Sequence, residues 1–193
     1  MMESVHKDRI DYRNKIHPHK FALWISLGSI LMMFVALTSA YVVKRAAGNW
    51  LDFELPQIFY YNTFVILLSS VFLQMSYKGF LKGKEYVYKY MLVAAFIAGL
   101  AFVVMQYKGW QALHQIGIDL SGNPSGSFIY VISGFHALHV LGGIVALIMA
   151  LVYAFKLPYR PTYKRKNRFE LVLHYWHFIG FLWVYLLLFL FTQ

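Results

Sequence analysis

Cysteine is missing from this 193-residue chain. Its absence excludes disulfide frameworks, thiolate zinc sites, iron–sulfur clusters, covalently attached c-type haem and thiolate copper centres. Charge is also scarce: 13% of residues are charged, against roughly a quarter in an ordinary soluble domain. Acidic residues number only eight against eighteen basic ones, giving a formal charge of +10. No internal repeat is visible, so an inverted-repeat transporter lacks its usual sequence mark.

What fills the chain is apolar: 60% hydrophobic and 19% aromatic residues, with a mean hydropathy above zero. Five runs are free of Asp, Glu, Lys and Arg: 21–43, 58–77, 90–107, 128–155 and 171–191. At 1.5 Å per residue each reaches or approaches the roughly 30 Å hydrocarbon core of a bilayer. The expected fold is therefore all-α and polytopic, one domain of five transmembrane helices over 21–193 behind a polar tail at 1–20. That tail leads into an apolar run too long for a signal-peptide core, so the first helix is expected to be retained.

The positive charge divides unevenly among the segments between these runs. Fifteen of the eighteen basic residues fall in the tail, the 78–89 loop and the 156–168 loop, which alternate on one side; Lys44, Arg45 and Lys108 fall on the other. Positive loops are retained in the cytoplasm, which puts the N-terminus inside and the C-terminus in the periplasm. The charge is thus a topology signal, and nucleic-acid binding is not needed to explain it. Trp24, Trp50, Tyr77, Trp110, Tyr159 and Trp176 fall near the ends of the runs, where amphipathic rings are stable. The 108–127 segment, with Gly117, Gly122, Asn123, Pro124 and Gly126, reads as an ordered turn region.

Without a carboxylate or a fixed cation in the spans, a self-sufficient pump or channel lacks its usual machinery. The polar inventory there is Asn62, Thr63, Ser69, Ser70, Gln74, Gln106 and the pairs His136/His139 and His174/His177, three residues apart on their helices. Two histidines on facing helices could ligate a b-type haem, and a cluster could hold copper. Measured from the midpoints of the apolar runs, however, the closest cross-helix pair, His139 and His177, differs by about 9 Å in depth. That mismatch favours hydrogen-bonded packing histidines. Gly142, Ala146 and Ala150 form a small-residue stripe expected to pack the fourth helix on the third, where Ala94, Ala95, Ala98 and Gly99 offer a counterpart.

Several ordered motifs resemble subunit III of the haem–copper oxygen reductases, the family of cytochrome c oxidase and its quinol-oxidising relatives. They are Leu55-Pro56 followed by Asn62-Thr63 and Leu67 to Ser70; Phe102 with Gln106; FHALHVLGG from Phe135 to Gly143; and Tyr175 to Phe178 with Trp183. Gly180 stands where the family often has an aspartate, and Gly109 where many members have a glutamate. Mitochondrial-type members have seven helices with lipid held in a cleft; this chain resembles the five-helix bacterial type.

The resemblance implies an accessory subunit without catalytic, cofactor-binding or metal residues of its own, multi-pass in the bacterial cytoplasmic membrane. It implies contact with subunits I and II, which would carry the haem and copper, with bound phospholipid and a larger respiratory supercomplex as further partners. Its role would be stability and proton uptake while electrons pass from cytochrome c to oxygen. Asn62, Gln106, His136, His139, Gly142, Ala146, Trp176 and His177 are the expected helix-packing, lipid or partner contacts. A quinol oxidase subunit III, a stand-alone transporter and a b-type cytochrome are the alternatives.

Overall fold

A computed structural model describes residues 18–48, 50, 51, 53, 55–159 and 162–192. Most of the polar tail lies outside the described residues. Five helices follow in order: α1 (Pro18–Ala46), α2 (Ile58–Leu81), α3 (Glu85–Gln115), α4 (Pro124–Lys156) and α5 (Tyr163–Thr192). All five are long and apolar enough to cross a membrane, and the described residues contain no strand.

Every helix contains its apolar run and continues past it into polar sequence. Hydropathy marks where lipid touches side chains, whereas the i to i−4 hydrogen-bond ladder stops only where a cap or turn residue stops it. Thus α3 extends to Gln115, through much of the segment expected as a turn region, and α5 begins at Tyr163, eight residues before its run. At the start of α4, Asn123 is the N-cap: its Oδ1 accepts from the Ser125 N–H at 3.0 Å, and Pro124 occupies the first turn, where its missing N–H costs nothing. Between α2 and α3 the chain reverses at Gly83, whose φ of +72° is a left-handed conformation that favours glycine. The Lys84 N–H closes the turn on the Gly79 carbonyl at 3.0 Å.

That tight hairpin makes α2–α3 the most extensive helix pair, and α4 packs on α3. Helix α5 contacts α1, α2 and α4, whereas α1 touches only α4 and α5. The outer surface is apolar, with Phe64, Ile97, Val145 and Phe181 each more than half exposed. Faces of that kind require a hydrocarbon solvent.

Lipid tails are as apolar as leucine, so helices are joined here by close packing and hydrogen bonds rather than by escape from water. Trp176 of α5 supplies both. Fully buried, its indole lies between two glycines: a Cβ added at Gly99 of α3 would stand 2.9 Å from the ring, and one at Gly143 of α4 would stand 2.8 Å from it. Its Nε1–H donates to the Ser69 Oγ of α2 at 3.1 Å, and that hydroxyl donates to the Ala95 carbonyl of α3 at 2.8 Å. One side chain thereby touches the other three helices of the main bundle.

The close approach therefore falls at Gly143, one residue past the expected stripe, and it faces α5. Gly142 is exposed, and a Cβ there would meet only the Tyr175 Oη at 3.4 Å. Gly143→Ala is expected to destabilise the protein by about 1–3 kcal/mol through overpacking, and Gly142→Ala to change it little. Paired thermal unfolding of the two variants in detergent checks this contrast; equal midpoints would contradict the wedge.

Candidate functional site

The buried polar groups fall into three tiers along the bundle. At the basic end, the Glu170 carboxylate is the hub: Tyr77 of α2 donates to it at 2.5 Å, Lys20 of α1 forms an ion pair with it, and Lys166 lies one turn away at 3.9 Å. Glu170 precedes the apolar run of α5, and sequence reasoning missed it. Its signal was a lone acid among Lys164, Arg165, Lys166 and Arg168. Beside this hub, Phe80, Tyr88, Tyr159 and Phe169 pack as a ring cluster with centroids 5.2–6.3 Å apart. The Tyr159 hydroxyl donates to the Phe80 carbonyl at 2.5 Å. Burial and the nearby Glu85 carboxylate push this phenol above its usual pKa.

The middle tier is Trp176 with Ser69, flanked on either side by two histidines. His177 of α5 is half-buried, and its Nε2–H donates to the Gln74 Oε1 of α2 at 3.1 Å. His139 turns the other way, its Nδ1–H donating to its own helix at the Phe135 carbonyl at 2.7 Å, while Tyr175 donates to the His139 carbonyl at 2.9 Å. His174 likewise donates to its own helix, at the Glu170 carbonyl.

In the third tier, Asn62 of α2 donates through Nδ2 to the Gln106 Oε1 of α3 at 2.8 Å, both residues 1% exposed. Trp183 of α5 donates to the Thr63 Oγ1 of α2 at 2.9 Å. His136 is enclosed by rings, with Trp183 at 4.9 Å, Phe102 at 5.9 Å and Phe34 at 6.4 Å between centroids. Trp110 donates to Ser133 at 2.9 Å, and the Tyr130 hydroxyl lies 3.0 Å from the Trp110 and Ile118 carbonyls, locking the α3–α4 turn.

The structure thus brings Asn62 to Gln106, sets both His136 and His139 edge-on to the Phe34 ring, and turns His177 to Gln74 instead. The separation has a different cause from the one expected. Helix α5 begins at Tyr163, so His177 stands at its midpoint, as His139 nearly does in α4. Measured from those midpoints the depths agree; the two side chains face different neighbours. The described residues contain no group of three or more His, Cys, Asp or Glu that could hold a metal ion. His177 is hydrogen-bonded as expected, but His136 is not: it packs among rings with neither ring nitrogen hydrogen-bonded among the described residues.

Of the aromatics expected near the ends of the runs, Trp176 is the one placed at mid-helix. Trp176 lies in the centre of the bundle, while Trp110, Tyr77 and Tyr159 are tied to other elements by hydrogen bonds. Trp50 packs on Tyr41 with centroids 4.6 Å apart, and Trp24 is exposed.

Two cavities accompany these seams. One, of about 330 Å³, lies between α4 and α5 at the basic end, walled by Ala146, Met149, Ala150 and Val172 with Arg165 and Arg168 among its lining. Arg165 donates to the Pro158 carbonyl at 2.7 Å, and Arg168 stacks over Tyr153 at 5.6 Å. Here Ala146 and Ala150 form a chamber wall. The other, of about 340 Å³, lies between α2 and α5.

Five apolar helices joined by neutral polar seams define a multi-pass helical membrane protein with charges gathered at the helix ends. A family model described as "Cytochrome c oxidase subunit III" matches residues 49–193. The chain is 31% identical over 167 residues to the "Probable cytochrome c oxidase subunit 3" of Mycobacterium tuberculosis, covering 84% of this chain and 80% of that relative. With the protein of the same description from Nocardia farcinica it shares 30% identity over 173 residues, at the same coverage. The "Cytochrome c oxidase subunit 3" of Mus musculus is 30% identical over 125 residues, covering 65% of this chain and 46% of that protein. The chain belongs to the cytochrome c oxidase subunit III family.

The Asn62–Gln106 bond provides a test of the polar seams. Asn62→Leu leaves the buried Gln106 amide unpaired and is expected to cost about 1–3 kcal/mol. Adding Gln106→Leu should recover part of that loss, with a coupling of about 0.6 kcal/mol or more in a double-mutant cycle. Strict additivity would show that the two amides do not interact.

Proposed function

We propose that this chain is the non-catalytic subunit III of a respiratory haem–copper oxidase. It packs on subunit I beside subunit II, and these partners hold the haem and copper through which electrons from cytochrome c reach oxygen. The observation that carries this reading is the family match over residues 49–193, and the histidines, which face separate neighbours in a chain without cysteine, support it. Its contribution is mechanical and environmental: a bundle whose middle tier holds no Asp, Glu, Lys or Arg among the described residues flanks the catalytic subunit and sustains its stability and proton uptake. The basic end faces the cytoplasm of a bacterium, in keeping with retention of positive loops.

A second element of this role is a bound anionic phospholipid. The α4–α5 chamber supports it: apolar walls suit an acyl chain, and Arg165 and Arg168 supply charge for a phosphate. Filling the chamber with Ala150→Leu together with Arg168→Gln is expected to lower phospholipid per purified complex, measured by mass spectrometry, without changing the haem spectrum.

The main reading is tested by co-purification and an optical spectrum. The isolated chain is expected to be colourless, the complex to carry haem, and His136→Phe to leave the haem bands in place while lowering assembly yield. A Soret band on the lone polypeptide, lost on replacing His136, His139 or His177, would overturn it. Flux through the lone reconstituted chain would overturn it as well.

A further inference from the structure

Helices α1 and α2 both pack on α5 but not on each other, which leaves an open side floored by α5. Along it the α2 wall carries Ser70, Gln74 and Lys78 at four-residue spacing, with His177, Gly180 and Phe181 of α5 opposite. Measured from the midpoint of α2, Ser70 is central and Gln74 is about 7 Å toward the basic end, both at hydrocarbon depth. Other faces at that depth carry exposed apolar residues such as Ile97 and Val145, and the exposed polar groups there, Ser29 and His174, are bonded to their own helices.

The groove carries hydrogen-bonding capacity that lipid cannot satisfy. Gln74 accepts one bond from His177, but its amide also has two N–H donors, and the imidazole has a second nitrogen. The Ser70 Oγ, without a hydrogen-bond partner among the described residues, lies beneath this surface against Gly180, where a Cβ would stand 3.2 Å from it. An acyl chain offers the half-buried Gln74 and His177 nothing, whereas a helix bearing polar side chains satisfies them. Gly180 is buried and lets α2 and α5 approach each other at Ser70, while Lys78, exposed at the basic end, can meet an acidic group on such a helix.

The geometry points to this α2–α5 groove as the docking seam for a transmembrane helix of the catalytic partner subunit, one that presents hydrogen-bonding side chains to Gln74 and His177. The inference rests on the proposed function and adds where on this chain the partner sits. The other cavity, with its arginines and apolar walls, has the opposite character and suits a lipid.

The cysteine-free sequence makes the test direct. Single cysteines at Val71→Cys and Phe181→Cys lie at the groove, and Ile97→Cys and Val145→Cys on other faces serve as controls. All four positions are exposed, so folding is preserved. In the whole complex in native membranes, a short thiol-to-amine or photoactivated crosslinker is expected to join the first two, and not the controls, to the haem-bearing subunit. Gln74→Leu with His177→Leu is expected to lower partner retention in detergent about threefold or more. Crosslinks from the controls alone, from none of the four, to lipid only, or between two copies of this chain would overturn the seam. If the wild-type chain retains a haem-bearing partner while the crosslinks map elsewhere, the seam alone fails. If no such partner is retained, the proposed function fails and the seam with it.

Discussion

One indole holds the main bundle together. Trp176 is enclosed by glycine faces of α3 and α4 and hydrogen-bonded to α2, so the positions of three helices depend on a single side chain of the fourth. The geometry suits a lipid solvent. Where burying apolar surface yields little, contact area and hydrogen bonds decide association, and a large flat ring against bare backbone maximises the first while its N–H secures the second. Ser69 extends the connection by passing the hydrogen bond on to the backbone of α3.

Around this wedge the polar groups are arranged by charge. Neutral amides, hydroxyls and imidazoles occupy the middle and one half of the bundle, while the half-buried carboxylate of Glu170 sits at the basic end with Lys20, Lys166 and Tyr77. Ionised groups are tolerable there because the headgroup region is near and opposite charges are within reach. The Glu170–Lys20 pair also anchors α1, whose other ties include Phe34, the Tyr41 ring cluster and the Thr38–Tyr185 hydroxyl contact at 2.9 Å. A helix attached only to α4 and α5 leaves one flank of α5 open, and the groove beside α2 results from that topology.

Legibility in the sequence varied with the kind of feature. The five runs were plain because a bilayer imposes one length and one composition on whatever crosses it. Helix ends were not, because α5 keeps its hydrogen-bond ladder through Tyr163–Glu170, where hydropathy has already fallen. That extension moved His177 to mid-helix and brought Glu170 into the structure. Asn62 and Gln106 were recognisable as glue, but nothing in one sequence pairs them. Gly142 and Gly143 are adjacent letters, and only helix rotation tells which of them meets Trp176.

The sequence by itself determined the solvent, the number of crossings, the sidedness of the positive charge as an expectation, and the exclusion of thiolate chemistry, because each follows from composition along a line. The tertiary structure alone decided which small residue lies against the indole, which neighbours the histidines face, and where a polar groove opens onto the membrane. Those depend on how each helix is rotated and which helices touch, and contacts between helices distant in the chain set that rotation.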